Sequence, residues 1–493
     1  MNKYVSKEAF ISIKPLFLNL LDNLSVSYEN VSILVEKSVG KNYRVSKSGT
    51  TIKDNTFSST GAVIRINHEY GTYEYSFNDF SEEYFSLIPK KIAENINKNI
   101  NVYKSYSSNK PSDKVSQTSS DTILEKLSFK NSTTEKLIFN KSTEFIINPL
   151  ELSDEYISNS LMNFHKTAMK YDDRIIDCVC ILQYLQIHKM FLSNDKDLEQ
   201  HIMWTNGIIQ PLASHKDKTY YYLDSFSTLG GAELLDEMSK GIENSCKCAI
   251  ELLDSVPPTP GTYDVICMPD VTGLIAHEAF GHGVEMDMFV KDRALAKQYV
   301  SKAVASHLVT MHDNAATFPE SGSYFFDDEG TLSHDTVIIK NGILQTGIND
   351  LHSANTLGVT PSGNGRRESY ERKVYSRMTN TYFEAGTDSI EDMISSIEYG
   401  ILLENGASGM EDPKNWGIQC MVNVGREIKN GKLTGKIFSP ICLSGYVPDL
   451  LKSISMVSDE IKLSGCGYCG KGYKEWVKVS DGGPAIKAKA TIS

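Results

Sequence analysis

The chain has 493 residues, of which 40% are hydrophobic and 23% charged, a composition typical of a globular protein with two or three domains. Its formal net charge of −12 argues against nucleic acid as the main partner, because phosphate binding needs a basic surface. No apolar run approaches the ~18 residues of a membrane-spanning helix, and no signal-peptide cleavage site is visible, so we predict a soluble, cytoplasmic protein without a membrane partner.

Residues 1–103 are predicted to form an N-terminal α/β domain. The stretch "LFLNLLDNL" has helical spacing, and alternating segments such as "VSILVEKS" and "GAVIRINHEYGTYEYSFN" predict strands. Helical periodicity returns in "NDFSEEYFSLIPKKIAENINKNI", where Asp79 or Ser81 is the expected N-cap.

Two further segments complete the N-terminal half. Residues 104–145 are dominated by Ser, Thr, Lys and Asn, which predicts a polar linker or insertion. Residues 146–255 contain two helical patterns, "DEYISNSLMNFHKTAMKYDD" and "GGAELLDEMSKGIENSCKCAIELLDSV", separated by segments rich in β-branched and aromatic residues. We therefore predict an α/β middle region that belongs with the first domain.

Residues 256–493 are predicted to form a β-rich domain, which gives the chain an α+β fold. Asn341-Gly342 and Asn430-Gly431 each lie between alternating apolar and polar residues, the pattern of a β-hairpin. A buried strand is predicted over Tyr263–Met268, followed by a helix that begins near Asp270 as its cap and carries His277 and Glu278.

The stretch "HEAFGH" indicates a metal site with unusual spacing. Zinc proteases of the common helical type space their histidines four apart on one helix face. His277 and His282 are five apart, so on a regular helix they diverge by about 140° instead of about 40°. Either a π-turn or an unwinding of the helix at Gly281 would bring both imidazoles to one side.

Two histidines do not complete a catalytic zinc site, which usually has three protein ligands and one position for water. The best further candidate is a thiolate in "LSGCGYCGKGYKEW", where Cys466 and Cys469 lie among glycines. From the residues alone, this Cys-x-x-Cys pair is also compatible with redox catalysis or with half of a structural zinc site. The odd total of nine cysteines argues against a disulfide framework.

The segment "HEAFGHGVEMD" resembles the HExxxH signature of the TldD/PmbA metallopeptidases. Further segments appear in the order of that family: "FDDEGT", "KNGILQTGINDLHSANTLG", "SGNGRRESYERKVYSRMTNTYFEAG" and "SMVSDEIKLSGCGYCGKG". The chain retains His277, Glu278 and His282, so it is most similar to the TldD-like catalytic branch. The resemblance implies a mixed α/β N-terminal domain and a β-rich C-terminal domain that carries the metal-site helix.

The resemblance also implies the ligands and the activity. The family's third zinc ligand, a cysteine before Gly-Lys, corresponds to Cys469, with Cys466 as the weaker choice. We therefore expect one zinc ion per chain on His277, His282 and Cys469, with Glu278 as the general base of peptide hydrolysis. Short or unfolded peptides are the implied substrates, inside an enclosed cavity. The implied assembly is a homodimer or a heterodimer with a PmbA-like subunit.

Other residues near these motifs are weaker candidates. Arg366 and Asn380 are predicted to bind substrate, and Arg367 and Arg377 share with Arg366 the possible role of stabilising the scissile carbonyl. Arginines in such positions are more often salt-bridge or surface residues, and that alternative stays open for each of the three.

Glu285 and Asp287 are candidates for orienting a ligand histidine through its second ring nitrogen, or else for a solvated helix end or a structural hydrogen bond. The alternative function is a non-proteolytic peptide-binding or modulator subunit with a structural metal or none. Glu278 separates the two functions, because a structural metal site has no use for a general base.

Overall fold

The computed structural model describes residues 7–68, 71–108, 135–472 and 475–493. In these ranges the α-helices, in chain order, are α1 (Lys7–Ser25), α2 (Glu82–Ser108), α3 (Asp154–Met169), α4 (Leu234–Glu251), α5 (Pro269–Ala276), α6 (Met286–Val290), α7 (Leu351–Leu357), α8 (Ile390–Ser395) and α9 (Val447–Lys452). A π-turn spans His277–Gly281, and 3₁₀ turns span Leu252–Asp254, His282–Val284 and Leu295–Tyr299. None of the described helices is long and apolar enough to cross a membrane.

The N-terminal half is built on a nine-stranded mixed sheet with the path β4-β3-β1-β6-β7-β5, to which β2, β8 and β9 add at the sides. Its strands are β1 (Asn30–Ser46), β2 (Gly49–Asp54), β3 (Thr60–His68), β4 (Gly71–Phe77), β5 (Leu137–Ser142), β6 (Ile175–Ser193), β7 (Lys196–His215), β8 (Lys218–Tyr221) and β9 (Asp224–Thr228). Strand β5 pairs parallel with β7, whereas the other pairings are antiparallel.

The two faces of this sheet bury different partners, as the alternation of side chains along a strand requires. One face packs beneath the helices: Tyr43 of β1 and Cys180 of β6 contribute to a core shared with α3 and α4. The opposite face packs on the C-terminal half, where Phe191 and Trp204 join clusters that contain C-terminal aromatic residues. This second face of the sheet is therefore the surface against which the C-terminal half packs.

The C-terminal half contains a five-stranded barrel and a second sheet. Its strands are β10 (Gly261–Cys267), β11 (Met311–Asn314), β12 (Asp335–Lys340), β13 (Ile343–Leu344), β14 (Gly365–Arg366), β15 (Tyr375–Ser376), β16 (Asn380–Phe383), β17 (Tyr399–Asp412), β18 (Gly417–Lys429), β19 (Lys432–Phe438), β20 (Ile441–Tyr446), β21 (Met456–Val457), β22 (Lys462–Ser464), β23 (Tyr468–Cys469), β24 (Val477–Lys478), β25 (Ser480–Gly483) and β26 (Ile486–Ile492). The path β10-β17-β18-β20-β26 closes on itself through a β26–β10 pairing. The six-stranded sheet has the order β13-β12-β11-β16-β25-β22.

The α+β fold and both hairpins are confirmed. Asn341-Gly342 joins β12 to β13 and Asn430-Gly431 joins β18 to β19, with all four residues at positive φ, as a type I′ turn requires. Ser81 is the cap of α2, since its hydroxyl accepts a hydrogen bond from the backbone N–H of Tyr84.

The prediction of Asp270 as a helix cap is wrong. Helix α5 begins one residue earlier, at Pro269, with Met268 as its N-cap. Proline suits this first position because its fixed φ matches the helix and its missing N–H would have no intrahelical partner. Asp270 lies in the first turn, and its carboxylate accepts a hydrogen bond from the backbone N–H of Gly406 at 2.8 Å. It therefore ties the helix to β17.

The polar segment 104–145 is only partly described. Helix α2 runs through residue 103 to Ser108, and β5 at the other end joins the sheet. Residues 109–134 of the predicted linker lie outside the described residues. The divisions at 103, 145 and 255 stay predictions.

Candidate metal centre

The π-turn brings the two histidines of the motif together. The backbone N–H of His282 donates to the carbonyl of His277, an i→i+5 bond. This wider turn compensates for the extra residue between the histidines, and their ring centroids lie 5.2 Å apart. Of the two geometries that the spacing allowed, the structure has the π-turn.

A third side chain reaches the histidines from the far end of the sequence. Cys469 lies on a two-stranded ribbon formed by β23 and β24, in which it pairs with Val477. Its Sγ is 3.3 Å from Nε2 of His282. One ligand atom from each of His277, His282 and Cys469 lies within 4.8 Å of the other two.

The thiolate of Cys469 gives this centre a negative charge that suits a cation. Burial alone would raise the pKa of the Cys469 thiol, but the two imidazoles hold it well below its ordinary value. Conversely, burial would lower the pKa of both histidines, but the neighbouring thiolate raises both values. A buried set of two imidazoles and one thiolate is a donor set that zinc prefers, and three protein ligands leave one position open.

Glu285 holds the imidazole of His282 from behind. Its Oε2 is 3.3 Å from Nδ1 of His282, and its side chain is 2% exposed. Burial would raise the pKa of Glu285, but Lys471, at 2.9 Å, His282 and Arg377 together lower it. The ionised carboxylate therefore fixes the ring so that Nε2 faces Cys469. Asp287 does not share this position, since it pairs with Lys471 at 2.6 Å and with Lys291 at 3.1 Å.

Two further carboxylates near the centre carry no sequence signal. Asp481 of β25 lies 3.8 Å from Nδ1 of His277; burial raises the pKa of its carboxyl to about 6 although His277 lowers it. Glu411 of β17 approaches Gly283, and neither of its buried carboxylate oxygens has a hydrogen-bond partner in the described part of the chain. No motif marks either residue, because both come from strands distant in sequence.

Glu278, the predicted general base, lies inside the π-turn and is 9% exposed. Strand β17 packs closely against it. A Cβ added at Gly409 would lie 2.4 Å from Cγ of Glu278. The absence of a side chain at this glycine leaves room for the carboxylate beside the two histidines.

Arg366 and Asn380, the two predicted substrate-binding residues, form hydrogen bonds within the protein itself. Arg366 donates to the carbonyls of Met378 and Lys478 at 2.5 and 2.7 Å. Asn380 is fully buried, and its side-chain NH₂ donates to the carbonyl of Asn314 and to Ser323 at 2.7 and 2.8 Å. These bonds give both residues structural positions around the centre.

The other two arginines are also held by groups of the protein itself. Arg377 donates to the carbonyls of Glu475 and Cys469 at 2.6 and 2.7 Å. Arg367 pairs with Glu74 of the N-terminal sheet at 2.9 Å. Arg377 therefore fixes the loop that carries the thiolate, and Arg367 links the two halves of the chain.

Similarity to known proteins is concentrated in the half of the chain that carries this centre. Residues 260–492 match the PmbA/TldA metallopeptidase C-terminal domain. Residues 260–492 therefore belong to the TldD/PmbA family.

Two relatives within the TldD/PmbA family carry names that state an activity. The "Metalloprotease TldD homolog" of Buchnera aphidicola subsp. Acyrthosiphon pisum is 35% identical over 254 residues, which cover 51% of this chain and 52% of that protein. The "Zinc metalloprotease TldD homolog" of Saccharolobus solfataricus is 28% identical over 353 residues, covering 71% and 76% respectively. The chain thus spans about half the length of the Buchnera relative, and 53% of a metalloprotease from Methanocaldococcus jannaschii.

The TldD/PmbA fold extends over nearly the whole chain. The crystal structure of TldE from Thermococcus kodakarensis is similar with a TM-score of 0.69 and 18% identity, covering 97% of this chain and 100% of that one. A Thermotoga maritima structure gives a TM-score of 0.74 at 17% identity, with the same coverage. At these identities the likeness shows a shared fold alone.

Proposed function

We propose that this protein is a zinc-dependent peptidase that hydrolyses short or unfolded peptides, with one zinc ion per chain held by His277, His282 and Cys469. One observation carries the proposal: three zinc-type donor atoms from opposite ends of the domain converge within 4.8 Å. The names of the metalloprotease relatives support the same activity.

The residues around this centre divide the work of hydrolysis. When bound, zinc supplies Lewis acidity toward a water molecule and toward the carbonyl of the scissile bond. Glu278 cannot readily ligate the ion that its neighbour His277 binds, so its carboxylate is available to accept a proton from the attacking water. The same carboxyl group then donates that proton to the leaving amine. Glu285 keeps the imidazole of His282 oriented throughout.

Separating metal binding from proton transfer tests this proposal. We expect Glu278→Gln to retain zinc but to lose peptide hydrolysis by at least about 100-fold, the scale of a general base. His277→Ala should lose both zinc and hydrolysis. Zinc content by elemental analysis and digestion of an unstructured peptide are the two measurements. Unchanged hydrolysis by the Glu278→Gln protein would defeat the peptidase assignment in favour of a peptide-binding or modulator subunit.

The proposed assembly is a dimer, formed with a second copy or with a PmbA-like subunit. It rests on the family resemblance. Light scattering of the purified chain, alone and mixed with such a subunit, distinguishes the two forms.

A further inference from the structure

A cavity lies between the second face of the N-terminal sheet and the C-terminal domain, apart from the three candidate ligands. Aromatic side chains form much of its wall: Phe57, Trp204, Tyr324, Tyr468 and Trp476. Phe57 and Tyr468 stack with their ring centroids 4.6 Å apart.

The cavity is joined to the metal centre by the ribbon of β23 and β24. In this ribbon Cys469 pairs with Val477, and the adjacent pair is Tyr468 and Lys478. Neighbouring residues of a strand point to opposite faces. The ribbon therefore presents Cys469 to the histidines and Tyr468 and Lys478 to the cavity.

Lys478 has an uncommon environment for a lysine. The residue is 8% exposed, and its Nζ has no hydrogen-bond partner in the described part of the chain. The amine lies 5.0 Å from the ring centroid of Trp204 and 4.6 Å from that of Tyr468. Burying an amine without a hydrogen-bond acceptor costs free energy. A ligand that brings an acceptor into the cavity would offset this cost.

Other unpaired polar atoms in the wall are also hydrogen-bond donors. The hydroxyls of Tyr468 and Ser321 are buried and lack partners among the described residues. The acidic side chains of the wall are already engaged. Asp327 accepts from the backbone N–H groups of Thr331 and Gly365, and Asp328 binds Lys189. An occupant that supplies acceptors would therefore satisfy the amine and both hydroxyls at once.

We propose that this cavity binds a carboxylate group joined to an apolar or planar body. One amine and two hydroxyls suit the single charge and the two oxygens of a carboxylate, and the aromatic walls suit the attached body. Burial also lowers the pKa of Lys478 to about 7. A bound carboxylate would oppose this effect and draw a proton onto the amine.

Such a carboxylate has two sources: the C-terminal carboxylate of a peptide substrate, or a free small carboxylic acid. The first source requires the proposed peptidase function to be correct. Binding of a carboxylate in the cavity does not depend on that function. Tryptophan fluorescence reports binding directly, since two of the chain's three tryptophans, Trp204 and Trp476, line the cavity.

The first experiment compares N-acetyl-leucine with N-acetyl-leucinamide, which differ only in the carboxylate, by fluorescence titration of the unaltered protein. We expect saturable binding of the acid and at least about tenfold weaker binding of the amide, which lacks the charged acceptor. Equal binding of both compounds, or binding of neither, would overturn the proposal.

The second experiment tests Lys478. Lys478→Met keeps the length of the side chain but removes the amine, so the preference for the acid should disappear. Lys489→Met, an exposed position on β26, is the matched control and should leave the preference unchanged. If Lys478→Met retains the preference in full, the assignment of the amine is wrong.

The third experiment identifies the source with the Glu278→Gln protein, in which the proposed turnover is blocked. A tetrapeptide with a free C-terminus that binds at least about tenfold more tightly than its amide places the substrate's end in the cavity. Equal binding of the two peptides, together with binding of N-acetyl-leucine, assigns the cavity to a free acid. Hydrolysis by Glu278→Gln would overturn the peptidase proposal without altering the N-acetyl-leucine result.

Discussion

Cys466 and Cys469 lie three residues apart but in opposite environments. The Sγ of Cys466 points away from the histidines and donates to the carbonyl of Phe226 at 2.9 Å. Burial raises the pKa of its thiol. Cys469 has a pKa lowered well below its usual value, because the charges of the two imidazoles outweigh its burial. Only Cys469 has the thiolate character and the position of a metal ligand. The different environments of the two thiols argue against a redox pair.

This difference predicts unequal effects of two identical substitutions. Cys469→Ser should weaken zinc binding more than about tenfold, because a serine hydroxyl is a poor replacement for a thiolate ligand. Cys466→Ser should leave zinc binding nearly unchanged, since the new hydroxyl can still donate to the carbonyl of Phe226. Zinc retained against a competing chelator is the measurement. Equal losses in the two variants would contradict the ligand assignment.

Sequence patterns predicted those features of the site that depend on neighbouring residues. His277, Glu278 and His282 lie close together in sequence, and the additional residue between the histidines requires a π-turn or a break in the helix. Cys469 needed the family resemblance, because a spacing of 187 residues from His282 carries no local signal. Asp481 was not predicted either, because it also has no local sequence signal. Its position near His277 depends on how β25 packs beside helix α5.

At the scale of elements, the site depends on the contact between β17 and the π-turn. Gly409 faces Glu278 so closely that an added Cβ would lie 2.4 Å from its Cγ. Gly406, earlier on the same strand, passes beside the start of helix α5, and its backbone N–H donates a hydrogen bond to the carboxylate of Asp270. The strand thus sets the position of the carboxylate, while the turn sets that of the imidazoles.

Gly409→Ala should therefore separate catalysis from metal binding. The new methyl group must displace the side chain of Glu278, and a shift of about 1 Å in a catalytic group can reduce kcat about 100-fold. Zinc content should stay unchanged, because the atoms nearest to this methyl group belong to Glu278 and Leu274 and not to the three proposed ligands. Gly445→Ala is the control, since nothing lies within 4 Å of its added Cβ. A Gly409→Ala protein with full kcat would show that Glu278 needs no such positioning.

At the scale of the whole molecule, the two halves are joined by the segment 325–330, which contains the family motif "FDDEG". Gln200 of β7 bonds with the backbone of Phe325 and Phe326 at 2.9 and 3.0 Å. Lys189 of β6 binds Asp328 at 2.5 Å, and Lys196 donates to the carbonyl of Gly330 at 2.9 Å. Periodicity predicted the helices and hairpins within each half. It could not predict this junction, because the contacts join polar residues far apart in sequence.

The pair of Lys189 and Asp328 predicts how strongly the junction stabilises the fold. Lys189 is 15% exposed and also contacts Glu36 at 3.1 Å, so Lys189→Met would leave two buried carboxylates without their cation. The expected loss in free energy of unfolding is about 3–5 kcal/mol, the cost of removing one partner from a buried ion pair. Lys90→Met is the matched control. Its pair with Glu94 is exposed and 4.0 Å long, so the expected change is below about 0.5 kcal/mol. Denaturant titration of the two variants measures both values, and equal losses would mean that the segment 325–330 does not hold the halves together.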